Sequence, residues 1–314
     1  MSERRIFTFW EPKGSMPAYL QLCRETWRRN SPGRTLVELN YDNLELYTGL
    51  DVLDLDSLKT VRLPAQKDVI LFAVLARNGG IFMDMDTIVF GNLSGLERRL
   101  SKTGLVMFHV HLGVAAARPG SPIMLECLAG ARQRLAGLRQ DGRSGADVSW
   151  DYFGNSILYQ TLWNAARRGN LIARAQGAVL GGLARTLSRT GQSGAKAAAF
   201  LQRADQYIAT QVIFRHTQQD TFLMLNRDRQ GFIAERIHGN RRIRDPQRKY
   251  VDYWFGESRR PQRPVPSQSA IIGLHHSWTP AWYTALSEAE VLDHGCLLSR
   301  TLRQALGLTA ATES

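Results

Sequence analysis

The chain has 314 residues, of which 44% are hydrophobic and 22% are charged. This length and apolar content can bury the core of one large α/β domain or two small ones, which excludes a predominantly disordered protein. The 40 basic and 28 acidic residues give a formal charge of +12, which suits nucleic acid, anionic lipid or a phosphorylated substrate, or reflects an arginine-rich proteome with no partner implied.

The first forty residues predict a strand, a helix and a second strand. Residues 6–10 are an apolar and aromatic run that ends at Glu11-Pro12, as is typical of a strand followed by a loop. Pro17 suits a first helical turn and opens a helical pattern, and residues 35–39 predict the second strand. Because the N-terminus turns polar at Glu11 and no apolar run reaches about 18 residues, we expect neither a signal peptide nor a membrane-spanning helix, and a cytoplasmic location.

A long helix and two short strands surround a pair of aspartates. Residues 63–77 repeat apolar side chains at helical spacing and end at Asn78-Gly79-Gly80, which is a helix stop. The apolar runs 81–83 and 87–90 predict buried strands, and Asp84-Met85-Asp86 lies between them, at a strand end.

Strands and helices continue to alternate as far as residue 139. Residues 105–117 predict a strand region, and residues 121–139 predict a helix with Pro122 in its first turn. The alternation predicts an α/β fold with a mostly parallel central sheet flanked by helices. Ligands bind such sheets beyond the carboxyl ends of the strands, which is where the aspartate pair falls.

The region 151–265 departs from this alternation. Residues 152–204 contain seven basic and no acidic side chains, interleaved with leucine and valine. This pattern predicts a basic helical insertion, which either lies on an anionic membrane surface or presents a solvated basic face. Residues 236–263 are polar, basic and proline-rich, and they predict a long surface loop. We therefore divide the chain into a core at 1–150, this basic region, and a C-terminal part at 266–314 with a last core strand and a helix.

The cysteines and histidines give no zinc signature. Cys23, Cys127 and Cys296 are far apart and form no C-x-x-C pair, which indicates a reducing compartment rather than a disulfide framework. The spacing His109-Val-His111 would place both imidazoles on one strand face, but further zinc ligands are missing from the sequence around it, and a position lining a cleft is the favoured interpretation.

The motif Asp84-Met85-Asp86 carries the clearest chemistry. In a strand or tight loop, side chains i and i+2 point the same way, so the two carboxylates form a hard oxygen site. Such a site suits Mn²⁺ or Mg²⁺, and nucleotide phosphates can complete the coordination shell. The apolar flanks argue against an ordinary surface turn, because buried carboxylates are costly unless they are paired or bound to metal. The motif therefore predicts metal-assisted departure of a diphosphate.

The stretch from Asp68 to Phe90 resembles a family of D-x-D sugar transferases that includes the yeast initiating mannosyltransferase and bacterial capsule enzymes, of the glycosyltransferase family 32 type. It resembles the clostridial glucosylating toxins more distantly. The shared pattern is a helix with Ser-Asp and an arginine three residues later, a Tyr-Gly-Gly stop, an apolar strand and Asp-x-Asp. Residues 63–93 carry the resemblance, and residues 7–10, Met16-Pro17 and the segment His275-His276-Ser277-Trp278 support it.

The resemblance implies a nucleotide-sugar-binding core of the GT-A type and retaining, metal-dependent hexosyl transfer in surface polysaccharide synthesis. Asp84 and Asp86 would be catalytic and would hold Mn²⁺ or Mg²⁺. His276 would be a third metal ligand, although strand phase decides whether His275 or His276 faces the metal. In retaining enzymes of this kind a polar residue lies near the anomeric carbon, and Asp151 is the catalytic candidate for that place, with a helix cap as its alternative.

The donor site implied by the resemblance joins residues from three parts of the chain. Trp10 would stack on the base, and Asp68 would contact the donor sugar or ribose. Asp84 would reach the donor as well as the metal, and Ser277 and Trp278 would close over the diphosphate. The expected partners are a nucleotide-sugar donor and a glycan or lipid-linked acceptor. The region 151–265 would face the acceptor, with the inner face of the membrane as a candidate surface and no nucleic acid.

Two positions depart from the family pattern. Leu71 stands where the family has arginine, and Gln66 or Lys67 stands where serine is usual. A cationic donor contact is therefore missing or supplied from elsewhere. These departures leave a non-catalytic nucleotide-sugar-binding protein as one alternative, and the charge of +12 leaves a nucleic-acid-binding protein as another.

Overall fold

A computed structural model describes residues 4–103, 105–107, 112–143, 145, 148, 152–158, 160, 161, 164, 246–256 and 271–308. Most of the predicted basic insertion lies outside these residues, as do His109, His111 and the candidate catalytic residue Asp151.

Strands and helices alternate along the described part of the chain. The strands are β1 (Arg5–Phe9), β2 (Thr35–Leu39), β3 (Gly80–Met83), β4 (Thr87–Val89), β5 (Leu105–Met107), β6 (Val114–Ala117) and β7 (Ile271–Gly273). The helices are α1 (Ala18–Asn30), α2 (Leu44–Thr48), α3 (Leu55–Lys59), α4 (Leu63–Asn78), α5 (Ser94–Thr103), α6 (Pro122–Gln140), α7 (Pro246–Phe255), α8 (Ala281–Thr284), α9 (Glu288–Asp293) and α10 (Leu297–Ala305), and His276–Trp278 form a 3₁₀ turn.

The central sheet has the strand order β2-β1-β3-β6-β5. Strand β1 is parallel to β2 and β3, whereas β6 is antiparallel to both of its neighbours, β3 and β5. Among the described strands of this sheet, β6 alone therefore runs against the common direction. The prediction of an α/β fold with a mostly parallel central sheet flanked by helices is confirmed.

Two of the predicted strands differ from their expected form. The region 105–117 contains two antiparallel strands, β5 and β6, because an apolar run has the same pattern whether it continues or reverses on itself. The last strand, β7, pairs with β4 in a separate antiparallel ladder that aligns Thr87 with Gly273. The aspartate turn carries the chain out of the central sheet before β4 begins, so β7 joins β4 instead of the sheet.

The two faces of the central sheet bury separate apolar clusters. Along β1, Phe7 and Phe9 face one cluster, which α4 and α6 cover, while Ile6 faces the other, which α1, α7 and α10 cover. Strand β3 alternates in the same way, with Phe82 on the first face and Met83 on the second. Because alternate side chains make both faces of the sheet apolar, a layer of helices packs on each side of it.

Glycine ends α4 and directs the chain into β3. Gly79 has φ +63°, and a Cβ there would lie 2.4 Å from Pro119 Cδ. Gly80 has φ +97° and approaches the carbonyl oxygen of Arg5. Asn78 donates from its side chain to the carbonyl oxygens of Tyr47 and Val74, at 2.6 and 3.0 Å. The predicted helix stop is thus confirmed, and it sets the start of the strand that leads to the aspartates.

The prediction of one long surface loop at 236–263 is wrong for residues 246–255, which form α7. Tyr250 and Trp254 are both buried in the cluster beneath α10. Their i, i+4 spacing places them on one helical face, a signal that the surrounding arginines and prolines obscured. No helix in the described residues has the length and apolar character needed to cross a membrane.

Candidate functional site

Asp84 and Asp86 lie in the turn that follows β3, at the carboxyl end of the central sheet. The backbone N–H of Asp84 donates to the carbonyl oxygen of Gly113 at 2.7 Å, and Met85 between the two acids is buried. The side chain of Asp84 is 21% exposed. The carboxylates therefore stand at the edge of the core rather than in bulk solvent, as the apolar flanks predict.

The C-terminal segment reaches Asp86 through backbone hydrogen bonds. The N–H of Leu274 donates to the main-chain oxygen of Asp86 at 2.8 Å, which extends the ladder between β4 and β7. The N–H of His276 donates to Asp86 Oδ2, also at 2.8 Å. The ladder thus holds the His275–Trp278 segment beside the aspartate motif, although 190 residues separate His276 from Asp86.

Lys67 joins a third carboxylate to the motif. Its Nζ lies 2.7 Å from Asp68 Oδ1 and 2.8 Å from Asp84 Oδ1. It also donates to the carbonyl oxygen of Leu112 at 3.4 Å. Lys67 and Asp68 are 15% and 13% exposed, so the ion pairs are largely shielded from water. Helix α4, the β3 turn and the segment before β6 are linked at this lysine.

The acidic groups outnumber the basic ones at this place. Burial and the charge of Asp84 raise the pKa of Asp86 to about 6. Burial also raises the pKa of Asp68, against the opposing effect of Lys67. Burial alone would lower the pKa of Lys67, but Asp68 and Asp84 outweigh it and raise that pKa. Among the described residues, three carboxylates beside one ammonium therefore leave a shortage of positive charge.

The donor set fits a divalent cation that a diphosphate helps to bind. Carboxylate oxygens are hard ligands, and Mg²⁺ is commonly held by one or two carboxylates together with phosphate oxygens. In the described residues, no group of three His, Cys, Asp or Glu side chains is arranged to hold a metal ion. Asp84 and Asp86 are the two carboxylates of the motif that could hold such a cation, and phosphate and water could supply further ligands.

His276 directs its ring toward Tyr19 and Trp10. Its Nδ1 lies 2.6 Å from the Tyr19 hydroxyl, and its ring centroid lies 5.6 Å from that of Trp10. Burial raises the pKa of Tyr19 and lowers the pKa of His276, so both groups are neutral near pH 7. The Tyr19 hydroxyl also donates to Thr279 Oγ1 at 3.5 Å, and the direction of its bond with His276 depends on the imidazole tautomer. When the phenol donates to Nδ1, the imidazole proton stays on Nε2.

Trp10 follows β1, the strand beside β3, and so stands at the same sheet edge as the aspartates. Its buried Nε1 has no hydrogen-bond partner among the described residues. A buried N–H without an acceptor is costly, and a bound ligand with an oxygen acceptor would relieve that cost. Trp10 therefore combines a half-buried aromatic ring with a donor.

The structure also places two further predicted donor contacts, Ser277 and Trp278. Ser277 is exposed, and Trp278 packs against His275, with ring centroids 4.3 Å apart, and against Tyr250. His275 donates its backbone N–H to the Tyr250 hydroxyl at 3.2 Å. Trp278 thus packs between His275 and Tyr250 in this structure.

The segment 152–158 approaches Asp68 closely. A Cβ on Gly154 would lie 1.8 Å from Asp68 Oδ2, so only glycine allows this approach. Asn155, the next residue, is half-buried, whereas Gln160 is exposed and bonds to Asn164. The turn that follows the candidate Asp151 therefore contacts the site through Asp68.

A family model of known proteins matches the N-terminal part of the chain. Residues 1–115 match the family model of capsular polysaccharide synthesis proteins. The matched region contains Trp10, Asp68 and both aspartates of the motif. This capsular-synthesis match confirms the predicted resemblance to bacterial capsule enzymes over the stretch that carries it.

No curated protein shows significant sequence similarity to the chain. Among solved structures, the chain is similar to "PaToxG Glycosyltransferase" with a TM-score of 0.38 and 12% identity, over 57% of this chain and 75% of that one. A TM-score of this size does not establish a common fold, so the architecture rests on the strand order and pairing given above.

The structure brings together most of the predicted site residues and adds three. Trp10, Asp68, Asp84, Asp86 and His276 meet at one edge of the sheet. The sequence assigned no role to the other three residues. Lys67 contacts Asp84, Tyr19 contacts His276, and Gly154 lies against Asp68. All three contacts depend on tertiary packing and have no local sequence signal.

Proposed function

We propose that the chain is a metal-dependent, retaining glycosyltransferase of the GT-A type that moves a hexose from a nucleotide-diphosphate donor to a glycan or lipid-linked acceptor in surface polysaccharide synthesis. The observation that supports it best is that four side chains meet at the carboxyl ends of β1 and β3, namely those of Asp68, Asp84, Asp86 and His276. The three aspartates lie in the region of the capsular-synthesis match, and His276 contacts that region from the C-terminal segment. That edge is where α/β sheets bind nucleotides.

In this proposal Asp84 and Asp86 would hold Mn²⁺ or Mg²⁺, which would supply Lewis-acid chemistry and neutralise charge on the departing diphosphate. His276 lies beside Asp86 and its ring is neutral. If Tyr19 donates its proton to Nδ1, Nε2 keeps its proton and would donate it to a phosphate oxygen. In the other tautomer Nε2 is unprotonated and would act as the predicted third metal ligand. Trp10 offers its ring to the base and its unpartnered N–H to an oxygen of the donor.

We infer same-face substitution at the anomeric carbon. The acceptor hydroxyl oxygen forms the new bond to that carbon as the bond to the diphosphate oxygen breaks, and the acceptor proton passes to a donor phosphate oxygen. The transition state is oxocarbenium-like, as in other glycosyl transfers. Asp68 lies beside the motif but is paired with Lys67, which suits a contact to sugar or ribose hydroxyls more than nucleophilic attack. A trapped sugar–enzyme adduct would contradict this mechanism.

The test is release of nucleoside diphosphate from a panel of nucleotide sugars in the presence of Mn²⁺. We expect one donor to be hydrolysed slowly by the wild type, and Asp86→Asn to lower that rate by about 100-fold or more, since the cation contributes several kcal/mol. Asp141→Asn, at an exposed helix end, is the matched control and should retain the rate. Equal rates for wild type and Asp86→Asn would reject the assignment.

A nucleotide-sugar-binding protein without turnover is the second candidate. It is favoured by Leu71, which is fully buried in the core and supplies no cation where the resembling family has arginine. The same donor panel separates the two functions. Saturable donor binding with Mn²⁺, without release of sugar from any donor, would identify the binding protein.

A further inference from the structure

The ammonium of Lys67 is held at Asp84 by two close ion pairs and one hydrogen bond. Its Nζ lies 2.7 Å from Asp68 Oδ1 and 2.8 Å from Asp84 Oδ1, and it donates to the carbonyl oxygen of Leu112 at 3.4 Å. The side chain is 15% exposed, so the arrangement is not a loose surface pair. Lys67 thus supplies positive charge to the first aspartate of the D-x-D motif.

The same ammonium restricts what else can bind the motif. One oxygen of Asp84 contacts Lys67, and one oxygen of Asp86 accepts the N–H of His276. A divalent cation that binds Asp84 comes close to Lys67, and the two positive charges repel each other strongly in a largely shielded site. A diphosphate that arrives with the cation brings negative charge and new acceptors for the lysine, whose flexible stem can follow them.

We propose that Lys67 is a tethered counter-ion that weakens binding of a free divalent cation at Asp84 and Asp86 and makes tight binding depend on the diphosphate of the donor. Lys67 is thus a positioning residue, which occupies one oxygen of Asp84 until the donor arrives. This inference rests on the proposed function, because it takes the D-x-D pair as the cation site.

The experiment measures Mn²⁺ binding to the full chain from the electron paramagnetic resonance signal of free Mn²⁺, without nucleotide and then with UDP, GDP, ADP or CDP. Lys67→Met and Lys67→Gln remove the charge, and glutamine keeps a hydrogen-bond donor for the carboxylates. Without nucleotide, both variants should bind Mn²⁺ at least about tenfold more tightly than the wild type. A merely structural lysine would give the opposite change, because its loss would disorder the carboxylates.

Two controls isolate the position of the charge. Lys13→Met removes a lysine from an exposed pair with Asp42 and should leave Mn²⁺ affinity unchanged. Lys67→Arg retains the charge and should bind free Mn²⁺ as weakly as the wild type. Melting curves identify any variant that does not fold. In the wild type itself, one of the nucleotides should tighten Mn²⁺ binding by at least about tenfold, and this measurement needs no variant.

The outcomes separate this inference from the proposed function. If no protein binds Mn²⁺ with or without any of the nucleotides, the cation site itself is wrong and the proposed function fails. If the wild type binds Mn²⁺ but nucleotide does not tighten that binding, or if the folded neutral variants bind free Mn²⁺ no more tightly, the role of Lys67 is overturned while the cation site stands.

Discussion

Tyr19 and His276 show how a buried contact can prepare a polar group for a ligand. The phenol lies 2.6 Å from His276 Nδ1, and both residues are neutral because burial disfavours their charged forms. The ring of Tyr19 also stacks on that of His276, with centroids 5.9 Å apart. The hydroxyl therefore controls the tautomer and the ring controls the orientation, so the two contributions can be separated by removing the hydroxyl alone.

We predict that Tyr19→Phe weakens binding of the nucleotide donor several-fold and lowers the free energy of unfolding by about 1–2 kcal/mol, because a buried hydrogen bond is lost. Calorimetric titration and urea denaturation measure the two effects. Tyr283→Phe is the matched control, since its buried hydroxyl bonds to Ser299 at 2.8 Å. It should lose similar stability and retain donor affinity. Equal donor affinity in both variants would show that the His276 tautomer does not matter for binding.

At the residue scale, the sequence is sufficient to predict a site residue where its chemistry and the local apolar pattern point to the same position. Asp84 and Asp86 were predicted from an acidic pair inside an apolar run, and the structure places them at the edge of the core as that pattern requires. The partners of these acids were not predictable, because the lysine that contacts Asp84 lies 17 positions earlier and the histidine that contacts Asp86 lies 190 positions later. Their approach is decided by the pairing of strands.

Helix ends provide the sharpest tests at the scale of elements. Gly79 turns the chain from α4 into β3 with φ +63°, and an added Cβ would meet both Cδ and the backbone nitrogen of Pro119. We predict that Gly79→Ala lowers the free energy of unfolding by about 2–4 kcal/mol, since it adds strain and overlap together. Gly137→Ala in α6 is the control, because open space surrounds it and alanine favours helix by about 0.5–1 kcal/mol. Equal stability of the two variants, measured in urea, would contradict the prediction.

The N-cap of α3 gives a pH-dependent prediction. Asp54 accepts the N–H and the hydroxyl of Ser57 at 3.1 and 2.6 Å, and these bonds lower its pKa. A lowered folded-state pKa means that the charged cap stabilises the protein above the unfolded value of about 3.9, and that this stabilisation is lost as the pH falls through the folded-state pKa. Relative to Asp54→Asn, the wild type should be more stable at pH 7 by less than about 1 kcal/mol, since the group is exposed.

The difference between wild type and Asp54→Asn should vanish as the pH falls below about 4, because asparagine caps without titrating. Urea denaturation of both proteins across this range measures it. Ser57→Ala removes the donating hydroxyl and should reduce the pH-dependent part of the difference. A stability difference that stays constant down to low pH would show that the charge of Asp54 contributes nothing.

Strands were predictable from sequence to the extent that burial shows in their composition. Residues 35–39 and 81–83 lie within the observed strands because each is a short apolar run between turn signals. Pairing was less predictable, because an apolar run does not reveal its neighbour or direction. The antiparallel β6 and the ladder of β7 with β4 are both consequences of where the chain reverses, and those reversals carry no strong local signal.

At the scale of the whole molecule, the site depends on both ends of the described chain. Residues 1–115 supply the motif, and the segment that starts with β7 supplies His276 and closes the cluster over α1. The division into 1–150, 151–265 and 266–314 stays a prediction, and so do the association of the basic region with an anionic membrane and the role of Asp151. The sequence pattern that suggests them lies largely outside the described residues.

A ligand that bridges these parts should stabilise all of them together. Any ligand that binds only the folded chain raises its free energy of unfolding, by about 2.7 kcal/mol at 100 times the dissociation constant. We predict that Mn²⁺ with the correct nucleoside diphosphate raises the melting temperature by roughly 4–8 °C, and that removal of the metal with EDTA reverses the rise.

Tryptophan fluorescence reports this transition from several elements, among them α1 and α7, because Trp27 and Trp254 are both buried in the cluster that contacts β7. A single shifted transition is expected if the cation and diphosphate join the motif to the C-terminal segment. Asp86→Asn should abolish the shift, since it weakens the cation site and the acceptor of the His276 N–H at once, whereas Asp141→Asn should keep it. A shift that survives Asp86→Asn would place the nucleotide elsewhere on the molecule, because binding at any other site would not depend on this carboxylate.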